Sequence, residues 1–173
     1  MPDDPDRRKF LKVAACALGG GLGLAAGVPT IKLLLDPSGK EIVTTPKAPL
    51  DLGPADRVKV GAPPRRFDVV APVVKDAWTS ATDVVLGAAW IRRTAPDKVE
   101  AFSGICPHLG CAIGWEGDSY LCPCHDSRFS ASGDKQTGPS ERGLDPLPIA
   151  IKGDRLELTW IRYKLGRSSR EPA

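Results

Sequence analysis

Positions 106 to 129 read C-P-H-L-G-C-A-I-G-W-E-G-D-S-Y-L-C-P-C-H-D-S-R-F, and this stretch holds four of the five cysteines and both histidines of the 173-residue chain. Thiolate and imidazole together are the ligand set of zinc, copper and iron-sulfur centres. Two compact boxes separated by a short excursion are how two loops converge on one ion or cluster. From the residues alone, Cys106 and His108 with Cys122 and His125 could form a structural zinc site of two cysteines and two histidines. Cys111, which ends the first box, and Cys124, inside the second, then stand at positions zinc does not require. In an exported domain such a leftover pair, one per loop, most simply forms a disulfide. Zinc also leaves the glycine and proline around the ligands unexplained.

The N-terminus decides whether the domain is exported. Residues 1–12, M-P-D-D-P-D-R-R-K-F-L-K, place Arg7 and Arg8 directly before Lys9, Phe10, Leu11 and Lys12, with an apolar run next. This resembles a bacterial Tat signal, which exports proteins already folded and often with a cofactor installed. In residues 13–35 the only charge is Lys32, near the far end where a long side chain can snorkel. As a helix this run spans about 34 Å at roughly 1.5 Å per residue, enough to cross a bilayer core. The Leu24-Ala25-Ala26 triplet is a poor cleavage site, so the reading is an uncleaved anchor with its basic end in the cytoplasm and the remainder outside. Gly19, Gly23 and Gly27 fall on one helix face, where they could admit a neighbouring helix or simply keep the signal weakly hydrophobic. Cys16 has only three residues between it and Lys12, too few for a lipoprotein box, and reads as a small apolar residue.

Residues 36–50 carry three prolines and little apolar patterning, which predicts a semi-extended hinge linker. Apolar or alternating runs follow at 58–60, 67–70, 84–92, 99–103, 120–122, 148–152 and 155–160, separated by turn residues. Short strands at this spacing predict an all-β domain over 51–162. Gly153-Asp154 predicts the hairpin between the last two strands. The charged tail, 163–173, is expected to fray. With 18 glycines, 17 prolines, 42% hydrophobic and 26% charged residues, the composition is that of a globular domain rich in turns. A net charge of +3, evenly mixed, argues against nucleic acid as a partner.

The boxes C-P-H-L-G-C and C-P-C-H-D-S resemble those of the Rieske iron-sulfur proteins, whose pattern is C-x-H-x-G-C followed by C-x-x-H with a cysteine between. The Tat-like start, the anchor, the linker and the terminal β domain resemble the membrane-bound respiratory branch of that family. The resemblance implies a Rieske-type antiparallel β-sandwich, with a small cluster-binding subdomain at about 104–145, preceded by one transmembrane helix. It implies that Cys106 and Cys122 bind one iron of a [2Fe-2S] cluster and His108 and His125 the other. It implies too that Cys111 and Cys124 form the disulfide joining the two loops. By the same analogy Leu109 lies at an exposed docking tip, with Gly138 and Pro139 starting a proline loop over the cluster. His125, and His108 beside it, would be the catalytic groups, His125 contacting quinol and taking its proton.

The implied function is the Rieske subunit of a quinol:cytochrome c oxidoreductase, a translocase-class bc-type complex, taking one electron and one proton from quinol and passing the electron to a c-type haem. Implied partners are a cytochrome b-type subunit, a c-type cytochrome, quinol and the membrane, within a multisubunit, dimeric complex. Two other readings stay open: the small subunit of a molybdenum oxidase such as arsenite oxidase, and a freestanding periplasmic carrier. Rieske oxygenases need a mononuclear-iron domain that the chain lacks. Three residues that are not ligands bear on the potential. Ser127 stands where high-potential relatives place a hydroxyl donating to a cluster sulfur, which favours the reduced cluster. Phe129 stands where they carry a tyrosine, and so lacks a donor, while Asp126 replaces a glycine and adds negative charge unless solvent screens it. An intermediate-to-low potential follows, suited to menaquinol rather than ubiquinol. Phe129→Tyr is therefore expected to raise the midpoint in a redox titration, and an unchanged or lower value would sink this assignment of Phe129.

Overall fold

The computed structural model describes residues 5–36, 38 and 42–173. Residues 1–4 of the Tat-like segment, and 37 and 39–41 of the expected linker, lie outside the described residues. The chain divides into two compact units, Met1–Ile42 with Lys75–Thr79, and Val43–Val74 with Ser80–Ala173.

Helix α1 runs over Pro5–Leu35, beginning eight residues before the expected start at 13. Pro5 suits a first helical position, where its missing N–H costs nothing, and Asp6 in the first turn complements the helix dipole. The Arg, Lys, Phe and Leu residues that follow give the helix no reason to stop. None of its residues is buried, and Phe10, Leu11, Leu18, Leu22, Leu24 and Leu33 stand exposed. Nothing lies within 4 Å of the open face at Gly19, Gly23 and Gly27. With a mean hydropathy of 1.6 over its most apolar window, the helix is long and apolar enough to cross a membrane.

The second unit is built from eleven strands among the described residues: β1 (Leu50–Pro54), β2 (Arg65–Lys75), β3 (Ser80–Ala95), β4 (Lys98–Ser103), β5 (Gly114–Glu116), β6 (Ser119–Cys122), β7 (Ser127–Ser130), β8 (Lys135–Thr137), β9 (Pro146–Leu147), β10 (Ile149–Lys152) and β11 (Arg155–Leu158). They form three sheets, ordered β1-β11-β10, β2-β3-β4-β9 and β5-β6-β7-β8. The first two share one core. Leu50 and Leu52 of β1 and Leu156 and Leu158 of β11 meet Phe67, Val69, Ala89, Ile91 and Leu147 of the larger sheet. Alternation explains the set, since Phe67, Val69 and Ala71 of β2 face inward while their neighbours face out. The third sheet intervenes in the chain between β4 and β9, and has a smaller core of its own, with Phe102, Ile113, Tyr120, Phe129 and Leu144.

The predicted hairpin at Gly153-Asp154 is present, with Lys152 opposite Arg155 and Gly153 at φ +60°. The predicted strand at 58–60 is not. Val58 is buried after a 3-10 turn at Ala55–Arg57, and Val60 makes a single parallel bridge to Arg93 before Pro63 and Pro64 end any ladder. The last strand stops at Leu158, and Trp160 fills the core beyond it. Strands β1, β5, β7 and β8 escaped the sequence reading because they are short and polar or glycine-bearing, as in Lys135–Thr137. The tail is not frayed. Tyr163 bridges Pro172, the Lys164 N–H donates to Glu171 O at 2.9 Å, and the Ala173 N–H donates to Arg162 O at 2.8 Å.

Candidate metal centre

The second box is the turn of a hairpin. Strands β6 and β7 pair with Tyr120 opposite Phe129 and Cys122 opposite Ser127, leaving residues 123–126 as the loop. Directly opposed residues share a face, so Tyr120, Cys122, Ser127 and Phe129 all point inward and all are buried. Asp126 closes the loop at φ +54°, a left-handed conformation that Asp adopts more readily than most side chains. Its side chain is exposed, so solvent screens the carboxylate that the sequence raised as a brake on reduction.

The first box is a loop with a closed neck. Ile105 bridges Ala112, the Cys106 N–H donates to Cys111 O at 2.8 Å, and the Gly110 N–H donates back to Cys106 O at 2.9 Å. A disulfide between Cys111 and Cys124, with Cα atoms 6.6 Å apart, joins this loop to the second.

Between the two loops the donors sort by depth. Cys106 and Cys122 are unpaired thiols, 1% and 2% exposed, whereas His108 is half-buried and His125 exposed. The imidazole rings stand 5.0 Å apart, nearly perpendicular at 81°. Burial, and to a smaller degree the neighbouring Cys122 sulfur, push the Cys106 thiol up to about 11, while the His108 and Leu109 N–H groups donate to its sulfur and pull the other way. With its proton affinity raised in this way, the buried Cys106 thiol becomes a thiolate only when a cation takes the proton's place, and Cys122 lies buried beside it. The Cys111, Cys122 and Cys124 sulfurs lie within 4.8 Å of one another, but two of them are consumed by the disulfide. That leaves two thiols inside and two imidazoles outside, the donor set that a mixed thiolate-imidazole iron-sulfur cluster requires.

The remaining sequence-derived positions surround these four. Leu109 is 63% exposed at the tip of the first loop. Gly138 has φ +87°, and a Cβ there would lie 2.4 Å from Ser127 Cα, so the segment entering Pro139 presses backbone to backbone on the second hairpin. The Ser140 N–H donates to Ser127 Oγ at 3.2 Å, which leaves the hydroxyl proton of Ser127 free to point elsewhere. Arg7 and Arg8 lie in α1, in the other unit.

Several contributors had no signal in the sequence. Arg142 and Asp145 form a buried bidentate ion pair, Nε to Oδ1 and Nη2 to Oδ2 both at 2.8 Å. The carboxylate holds the guanidinium charged by raising its already high pKa. Removing one partner of such a pair costs about 3–5 kcal/mol, because the other charge stays buried. Trp90 Nε1 donates to Ile113 O at 3.0 Å, tying β3 to the chain that leaves the first box. Tyr120 packs edge-on against Trp90, Phe102 and Trp115, and its buried hydroxyl has no hydrogen-bond partner among the described residues.

Comparison with known proteins places this geometry in context. The Rieske [2Fe-2S] domain family matches residues 72–148. The chain is 30% identical over 167 residues to the menaquinol:cytochrome c reductase iron-sulfur subunit of Bacillus subtilis, covering 90% of this chain and 92% of that protein. It is 28% identical over 158 residues to the subunit of the same name from Geobacillus thermodenitrificans, covering 88% and 89%. A chain of a hyperthermophilic respiratory Complex III superposes with a TM-score of 0.42 at 25% identity, covering 85% of this chain and 99% of that one.

Gly138→Ala tests the close approach of the two segments. Overpacking against Ser127 and left-handed strain each cost about 1–3 kcal/mol. The denaturant midpoint of the cluster-bearing domain is expected to fall accordingly, and an unchanged midpoint would show that the segment yields freely.

Proposed function

The chain belongs to the Rieske [2Fe-2S] iron-sulfur proteins, and from that premise we propose that it is the Rieske subunit of a quinol:cytochrome c oxidoreductase of bc type. The observation that carries this reading is the pair of disulfide-joined loops, with two thiols buried and two imidazoles at the surface, in a chain that also has a membrane-length helix. In this reading Cys106 and Cys122 hold one iron of the cluster and His108 and His125 the other. When bound, the cluster supplies a one-electron carrier between quinol and a c-type haem, at a potential raised toward roughly −150 to +300 mV because neutral imidazoles replace two thiolates.

The chain's own residues do the rest. Cys106 and Cys122 keep their end of the site dry, while exposed His125 offers its second ring nitrogen to a quinol hydroxyl as hydrogen-bond acceptor and proton acceptor. Leu109 supplies the apolar contact that seats this tip on a cytochrome b-type subunit. Ser127, whose oxygen already accepts from Ser140, is left to donate its proton toward the site and favour reduction. Phe129 fills the tyrosine position without a hydroxyl and works against reduction. Asp126, solvent-screened, adds little. With one donor kept and one missing, an intermediate potential follows, and it is the name of the Bacillus and Geobacillus relatives that favours menaquinol as the quinol.

Arg7, Arg8, Lys9 and Lys12 would set the N-terminus in the cytoplasm after Tat export and leave the head outside, in a dimeric complex of translocase class. Residues 36–50 act as the hinge by which a tethered head visits a quinol site and a haem at high local concentration. Extracting the tagged chain from membranes in mild detergent tests the assignment. Co-purification of b- and c-type haems with menaquinol-dependent cytochrome c reduction is expected; recovery with a molybdenum-containing subunit, or alone after cleavage of the helix, would replace it. Shortening the linker by several residues is expected to slow that turnover while the cluster's visible spectrum stays the same. An unchanged rate would remove the hinge.

A further inference from the structure

We propose that the C-terminal segment, residues 163–172, is a strap that fixes the position of the first ligand loop, residues 106–111, and that Arg142 is the positioning residue that fastens it. The inference rests on the assignment of Cys106 and His108 as ligands.

The strap has one anchor on the loop and another on the body of the domain. On the loop side, the Gly166 N–H donates to Pro107 O at 2.9 Å. Pro107 stands between Cys106 and His108 and is buried. A buried carbonyl without a donor is costly, and the loop's own hydrogen bonds, from Cys106 to Cys111 and from Gly110 to Cys106, do not serve this one. Alongside, Leu165 Cδ1 comes to 2.9 Å from the place a Cβ on Gly110 would occupy. Gly110, at φ +86°, thus gives the loop a left-handed turn and the strap room to pack against it.

On the body side, the Arg142 guanidinium faces two ways. Two of its nitrogens grip the Asp145 carboxylate. Nη2 also donates to Lys164 O at 2.8 Å and Nη1 to Arg167 O at 2.5 Å, the carbonyls on either side of Leu165 and Gly166. Arg170 donates to Leu144 O at 3.4 Å, and the Tyr163 hydroxyl donates to Pro146 O at 3.1 Å. The planar fork of arginine is what makes the double grip possible: a carboxylate takes one edge and two backbone oxygens take the rest. A lysine would keep the charge and lose the geometry. Pairing within the strap, through Lys164 and Glu171, keeps it a folded hairpin rather than a loose end.

Two loops define the site, and the disulfide ties them at Cys111 and Cys124, at the neck where Cys111 pairs with Cys106. The strap holds the loop beyond that neck, at Pro107 and Gly110 on either side of His108. Without it, residues 107–110 would be restrained only through their hydrogen bonds back to Cys106.

Hydrogen exchange read by mass spectrometry on the full chain in detergent tests this. Four variants serve: Arg142→Lys, Leu165→Ala, Leu165→Met, and a chain ending at Arg162. The amides of Cys106 and of residues 108–111 are expected to exchange at least tenfold faster in the truncated chain and at least threefold faster in Arg142→Lys and Leu165→Ala, while β10 and β11 stay as in the parent. Leu165→Met, which refills the contact on Gly110, is expected to retain parental exchange. Unchanged loop protection in the point variants, or a loss shared equally by β10 and β11, overturns the strap whether or not the truncated chain folds. A parent chain with a strap-dependent loop but no Rieske absorbance would instead overturn the ligand assignment and leave the strap standing.

Discussion

One constraint organises the head: two loops that start from different strands bring two buried thiols and two outer imidazoles together. Neither loop can do this alone, because each carries one cysteine and one histidine of the set. The Cys111–Cys124 disulfide holds the loops to each other, and the register of β6 and β7 decides which side chains of the second loop face inward. A slip of one residue would send Cys122 and Ser127 to solvent and bring Leu121 and Arg128 in. The site therefore depends on a hairpin register as much as on its ligands.

That register is itself held from outside the site. Tyr120 and Phe129, one cross-strand step from the ligand end, lie in a core with Phe102 of β4 and Leu144, and Trp115 and Trp90 pack their edges on Tyr120. Aromatic rings bury much area with few rotors, so a four-stranded sheet of strands only three or four residues long gains order that its backbone pairing could not give. The larger sandwich, with its own core of leucine, valine and isoleucine, supplies β3 and β4 as a base for this sheet. Having two cores separates the tasks: the base can be plain hydrophobic packing, while the smaller sheet tolerates buried serines and thiols.

The helix is a different problem solved by different means. It buries nothing, carries apolar side chains all round, and leaves its glycine face open. In water such a surface has no reason to exist; in a bilayer it needs no further partner.

The two cysteine-histidine boxes, the second cysteine pair, the membrane-length apolar helix and the all-β character were legible in the sequence because each is a local pattern. The spacing of cysteine and histidine, a run with the single charge of Lys32, and alternation with turns are all fixed by residue type and distance along the chain. The hairpin at Gly153-Asp154 was legible for the same reason. Strands β5, β7 and β8 were not, since Lys135–Thr137 or Ser127–Ser130 carry no apolar alternation and become strands only by pairing with neighbours already in place. The tail was misread because its order comes from Arg142, more than twenty residues earlier, whose donors reach carbonyls that no pattern within the tail could point to. Asp126 stood out in the sequence as a charge beside the second box, but only the folded chain shows that its side chain is exposed and open to screening by solvent. The sequence by itself thus determined which chemistry the chain can hold, because ligand identity is written in residue types. The tertiary structure decided depth, register and which distant segment braces which loop, because burial and hydrogen-bond satisfaction depend on contacts between residues far apart in the chain.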